Sequence, residues 1–126
     1  DFVDYEVWNG LRLGRLEPLN ASINEIPIQG NTYSVSILDN KQTIMRNNNE
    51  IITSNHPTIL RKAILTNNYV SFSQKALKPI NLDVRVGPGN YEVAIGEEKY
   101  SEVVNNSYLL TLSLKELKNE ILIKKI

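Results

Sequence analysis

The run Ile80-Asn81-Leu82-Asp83-Val84-Arg85-Val86-Gly87-Pro88-Gly89-Asn90-Tyr91-Glu92-Val93-Ala94-Ile95 decides the fold class. From Ile80 to Val86 every second residue is apolar and the residues between are polar. A period of two belongs to a β-strand, whose successive side chains point to opposite faces, so Ile80, Leu82, Val84 and Val86 share a buried face. Gly87-Pro88-Gly89-Asn90 then breaks the pattern with residues that favour turns, Gly by its backbone freedom and Pro by its fixed φ. Tyr91, Val93 and Ile95 resume the alternation. The stretch as a whole predicts a β-hairpin with one face inward.

The same grammar spreads outward in both directions. Tyr33, Val35 and Ile37 alternate with Ser34 and Ser36, and Asp39-Asn40-Lys41 turns the chain toward Thr43-Ile44-Met45. Leu110, Leu112 and Leu114 alternate with Thr111 and Ser113. Ile121-Leu122-Ile123 is apolar on both sides, as in an interior or covered strand. Lys115 to Asn119 admits one helical turn or a polar loop, and Asn47-Asn48-Asn49 reads as a loop. Trp8-Asn9-Gly10-Leu11 carries the Asn-Gly signal of a tight hairpin. Its register is open, because pairing Asp4 with Arg15 also sets Glu6 opposite Leu13.

Residues 58–66 admit a short helix, since Ile59-Leu60 and Ala63-Ile64 recur four apart. A strand turning at Asn67-Asn68 is preferred, with Ala63 opposite Phe72 and Leu65 opposite Val70. Together these segments predict an all-β, antiparallel β-sandwich, Ig-like or jelly-roll-like, with roughly eight or nine short strands and at most one short helix. It is expected to be a single domain spanning residues 1–126, a length that supports one hydrophobic core.

Charge narrows the partners. The 14 basic and 14 acidic residues balance, which removes the long-range attraction that nucleic acids and anionic membranes rely on. No apolar run approaches the ~20 residues of a membrane-spanning helix. Neither a nucleic-acid partner nor membrane insertion is expected. Cysteine is absent, which excludes disulfides, thiol nucleophiles and Cys-bound zinc. A start at Asp1 rather than Met, with no disulfides, suits a module of a longer or exported microbial protein, placed outside the cell or on its surface. Asn20-Ala21-Ser22 and Asn105-Asn106-Ser107 are glycosylation acceptor triplets if the chain is exported.

Catalytic constellations are hard to assemble from this sequence. His56, the one histidine, stands beside Pro57 and reads as an exposed turn residue. A Ser-His-Asp arrangement has only His56 to draw on, and no Gly-x-Ser-x-Gly elbow presents a serine. Glu97-Glu98 and Asn47 to Glu50 lack the spacing of a calcium loop. Gly87-Pro88-Gly89 leads into no helix with a following Lys and is no phosphate loop. Asp83 and Glu92 sit on the polar side of alternating strands. No catalytic residue, metal or cofactor is expected. Trp8, Tyr5 and Tyr33 are the candidate ligand-binding residues, because flat aromatic side chains stack on apolar ring faces.

The run Val86-Gly87-Pro88-Gly89-Asn90-Tyr91-Glu92-Val93, then Glu97 to Tyr100, then Leu110-Thr111-Leu112, resembles the accessory Ig-like β-sandwich domains of microbial carbohydrate-active enzymes and surface proteins. The resemblance covers about a third of the chain. It implies a non-catalytic module that packs on a partner domain of a parent chain, spaces it from a surface, or binds glycan. One alternative is a self-assembling subunit of a surface fibre or capsid-like shell, its copies paired through the strand bearing Ile121 and Ile123. Another is a glycoside hydrolase acting through clustered carboxylates.

Overall fold

The computed structural model describes residues 2–3, 21–28 and 31–126. These residues form twelve antiparallel strands and no helix. They are β1 (Phe2–Val3), β2 (Ala21–Ile28), β3 (Asn31–Leu38), β4 (Lys41–Arg46), β5 (Asn49–Ser54) and β6 (Ile59–Leu65), followed by β7 (Tyr69–Lys75), β8 (Ile80–Arg85), β9 (Gly89–Ile95), β10 (Glu98–Val104), β11 (Leu109–Leu114) and β12 (Lys118–Lys125). One sheet has the order β1-β6-β7-β12-β9-β10, and the other β11-β8-β5-β4-β3-β2. The domain is a β-sandwich of two six-stranded sheets, with more strands than the pattern alone predicts.

The core lies between the sheets and is built by the expected alternation. Ile80, Leu82 and Val84 of β8 point inward, as do Tyr91 and Val93 of β9 and Leu110, Leu112 and Leu114 of β11. The β3 residues Tyr33, Val35 and Ile37 extend the wall that β8 and β11 build, facing β9 across the core. Each such side chain removed from water contributes about 1.5–3 kcal/mol to the driving force.

The stretch that decides the fold class is not a hairpin. β8 pairs with β5 and β11, whereas β9 pairs with β10 and β12, so the two strands lie in opposite sheets. Gly87 to Gly89 carries the chain across the sandwich. Alternation fixes which face of a strand is buried and says nothing about its partner. Two inward faces meet across a core as well as they align side by side. The crossing is pinned by the Tyr91 hydroxyl, which lies 2.7 Å from the Gly87 carbonyl and 3.0 Å from that of Asn67. The Gly87 N–H also donates to Asn67 O, at 2.7 Å.

Real hairpins occur where two residues tolerate positive φ. Asp39 and Asn40, at φ 50° and 70°, join Leu38 to its partner Lys41. Asn47 and Asn48, at 50° and 67°, join Arg46 to Asn49. Asp and Asn enter this left-handed region more readily than other side chains, and it matches the twist of the flanking strands. Asn47 to Asn49 is therefore a tight turn leading into β5, not a loop. Gly96, at φ 60°, makes the corresponding turn between Ile95 and Glu98.

Residues 59–65 are a strand, as preferred, and Leu65 faces Val70. Ala63 does not simply oppose Phe72, because the register shifts between Arg61 and Ile64, where Lys62 has φ 53°. A second shift, between Ile44 and Met45, leaves Ile51 unpaired and allows both Ile51 and Ile52 to be buried. Lys115 to Leu117 is a crossing link rather than a helical turn. Pro27 sits in β2, outermost in its sheet among the described residues, where a missing N–H is tolerated. The Trp8-Asn9-Gly10-Leu11 hairpin lies outside the described residues.

Candidate functional site

The strand directions give the sandwich two dissimilar ends. At one end, β4, β5 and the start of β6 bring buried polar side chains together. Gln42, Ser54, His56, Thr58, Gln74 and Asn119 are all buried. The Gln42 amide grips the backbone of Thr58, donating from Nε2 to its carbonyl and accepting its N–H at Oε1, both at 3.2 Å. Gln74 Nε2 donates to Thr58 Oγ1 at 2.8 Å, and that hydroxyl donates to Lys75 O at 2.9 Å. Asn119 Nδ2 donates to Gln74 Oε1 at 2.7 Å. The chain of bonds runs from β12 through β7 to β4 and so ties one sheet to the other.

His56 belongs to this end. It is 6% exposed, not a solvated turn residue. Ser54 Oγ donates to its carbonyl at 2.8 Å, and among the described residues its Nδ1 has no hydrogen-bond partner. Burial holds its pKa below the usual 6.5, and the Lys78 charge adds to the effect. The folded chain thus takes up a proton at His56 less readily than the unfolded chain. The stability from neutral His56 is complete above pH 6.5 and is lost as pH falls through the lowered folded value. Unfolding midpoints should therefore decline from pH 7.5 to 5, above most carboxylate titration, and His56→Gln should flatten that decline. Denaturant melts at the two pH values measure it, and an equal decline in both proteins would clear His56 of the effect.

Among the described residues the other end is open. A groove of about 460 Å³ lies among the β4–β5 turn, the β6–β7 turn, the β8–β9 crossing and the β10–β11 link. Arg46, Asn47, Asn49, Glu50, Asn67, Arg85 and Tyr108 line it, over a floor that includes Ile51 and Val86. Arg46 spans the mouth of the core, its Nη1 donating to the Leu65 carbonyl of the facing sheet. Arg85 Nη2 stands 3.5 Å from Glu50 Oε2, with both side chains nearly half exposed. Asn49 Nδ2 donates to Asn47 O at 3.4 Å.

Tyr108 is the unusual residue of the groove. Its φ is 59°, and its side chain is 50% exposed. A bulky side chain in the left-handed region costs about 1–2 kcal/mol, which Gly would avoid and Asn would reduce. The conformation is held from both sides. The Tyr108 N–H donates to Asn105 O at 3.1 Å, and its carbonyl accepts from Val86 N–H at 3.2 Å. Asn105 Oδ1 accepts the Ser107 N–H at 2.9 Å, closing the turn before it. The link thus holds an aromatic residue at a polar groove in a strained backbone conformation.

No family model matches the chain, and no curated protein or solved structure is significantly similar to it. The groove is therefore read from its own chemistry. Planar amides and guanidinium groups offer paired donors and acceptors, and an exposed phenol ring offers an apolar face with a polar edge. Among the described residues, two other concavities lie on the outer sheet faces. The one with Ser71, Ser73, Leu122 and Lys99 has its Ser73 hydroxyl bonded to Glu120, and the one with Thr53, Asn81, Asp83 and Thr111 has Thr111 bonded to Asp83. Neither brings Arg, Asn and a strained aromatic together.

The residues singled out from sequence fare unevenly. Tyr33 is fully buried, so it packs the core and presents no face to a ligand. Trp8, Tyr5 and Asn20 lie outside the described residues. Asn105 is exposed in its turn. Ile121 and Ile123 are not on an edge: β12 lies between β7 and β9, and both side chains are buried. The outermost strands among the described residues are β1, β10, β11 and β2. Among these residues no three His, Cys, Asp or Glu side chains gather where they could hold a metal. Tyr108, one of six tyrosines in the sequence, is not among the candidates chosen from it, although an aromatic directly after Asn105-Asn106-Ser107 is a signal for a ring presented by a turn.

Proposed function

We propose that this domain is a non-catalytic binding module of an exported or surface protein, and that it holds glycan in the groove beside Tyr108. The observation that carries this reading is a half-exposed aromatic residue, kept in a strained backbone conformation, that lines one groove with Asn47, Asn49, Asn67 and Arg85. Sugars present an apolar ring face bordered by hydroxyls that both donate and accept. An aromatic plane next to amides and guanidinium groups complements both features. The resemblance of the last third of the sequence to accessory domains of carbohydrate-active enzymes supports the same reading.

Tyr108→Gly separates binding from folding, because glycine adopts φ 59° without strain. Calorimetric titration with a panel of neutral and acidic oligosaccharides is expected to give saturable binding, weakened about tenfold or more in Tyr108→Gly, a loss of about 1.4 kcal/mol. The unfolding midpoint of that variant should be unchanged or raised. A panel without a single binder, or binding indifferent to Tyr108→Gly, would remove the groove from consideration.

A further inference from the structure

We propose that the glycan held in this groove is acidic, and that Arg85 recognises a carboxylate on the sugar. The inference rests on the binding role proposed for the groove and adds the class of its ligand. Over the whole chain positive and negative residues balance, yet the groove lining carries two guanidinium groups, Arg46 and Arg85, against one carboxylate, Glu50. The two arginines are not equivalent. Arg46 Nη1 is engaged with the Leu65 carbonyl and helps close the core. Arg85 instead extends from β8 to the groove, where its only ion-pair partner among the described residues is Glu50, at 3.5 Å through one nitrogen.

That pairing is loose by the standards of arginine and carboxylate. A good pair is bidentate, with two parallel N–H···O bonds near 2.7–2.9 Å. A long, single contact between half-exposed groups is screened by water and contributes little. Glu50 therefore leaves the planar fork of Arg85 unsatisfied. A uronic acid resting its ring on Tyr108 would bring a carboxylate that can occupy both fork positions, and Glu50 would turn to solvent. The amides of Asn49 and Asn67 line the same groove, where such groups suit sugar hydroxyls. Lysine, a point charge, would lack this fit.

Oligogalacturonate and oligoglucuronate, each compared with its methyl ester, isolate the charge while keeping the sugar. In calorimetry at low salt, a free acid is expected to bind about tenfold or more tightly than its ester, because charge-assisted hydrogen bonds are lost in the ester. The preference should shrink as salt rises and vanish in Arg85→Gln, with the ester's own affinity little changed. Glu50→Gln should raise affinity for the acid by freeing Arg85. Acid and ester bound equally, or neutral oligosaccharides bound and acids refused, would overturn the carboxylate while leaving the Tyr108 groove intact. No binding by any saccharide would overturn both readings. An acid preference that persists in Arg85→Gln would overturn the assignment to that residue.

Discussion

Replacing Gln42 with Leu is expected to cost the domain about 2–5 kcal/mol, although the new side chain is similar in size and more apolar. The reason lies in what Gln42 satisfies. Its amide accepts the Thr58 N–H and donates to the Thr58 carbonyl, acting as a short stretch of strand. Leucine removes the amide but cannot remove the backbone groups. Thr58 is 1% exposed, so an orphaned donor and an orphaned acceptor would each forfeit about 1–3 kcal/mol of solvation. A domain of this kind is stable by only about 5–15 kcal/mol, so the change is a large share of the total. Urea unfolding of the two proteins measures it. A loss below about 1 kcal/mol would mean that water reaches Thr58, contrary to the packing described.

Ile123→Ala should be as severe, at about 2–5 kcal/mol, because it opens a cavity at the middle of a sheet. Ile123 is fully buried and stands between Val70 of β7 and Val93 of β9. Three residues on, Ile126 is 76% exposed, and its replacement by Ala should stay within about 0.5 kcal/mol. The contrast separates an interior strand from an edge used for assembly. Were β12 an exchangeable edge, Ile123→Ala would alter self-association in light scattering and leave the melting curve nearly in place. A change of that kind would contradict the topology.

The β-sandwich was legible because period-two alternation is a local property, written residue by residue. Ile80 to Val86 and Leu110 to Leu114 show which side chains are inside without reference to anything else in the chain. Partnership is not local. Gly87-Pro88-Gly89 has the composition of a hairpin turn, yet it crosses the sandwich, and the Tyr91 hydroxyl that pins it is bonded to Asn67, far away in sequence. The strand at Ile121-Leu122-Ile123 was readable as interior from its unbroken apolarity. The same segment read as an edge ignored that sign.

The polar end and the groove were harder to foresee for opposite reasons. His56-Pro57 has loop composition, and only the tertiary path of β5 into β6 buries it. Tyr108 adopts a backbone conformation that tyrosine disfavours, so propensity argues against the feature that makes it notable. Asn47, Asn49, Asn67 and Arg85 come from separate turns and strands. Their meeting is a product of the topology rather than of any spacing in the sequence.

The central place of β12 also constrains how the chain acquires its shape. β7 and β9 each carry an edge that only β12 covers, and β12 follows both by the length of several strands. During synthesis those edges stay open until β12 emerges, so one sheet can be completed only late. Pairings of such long sequence separation form slowly, and uncovered strand edges are sticky in the meantime. A truncation ahead of Lys118 is expected to aggregate rather than form a smaller domain.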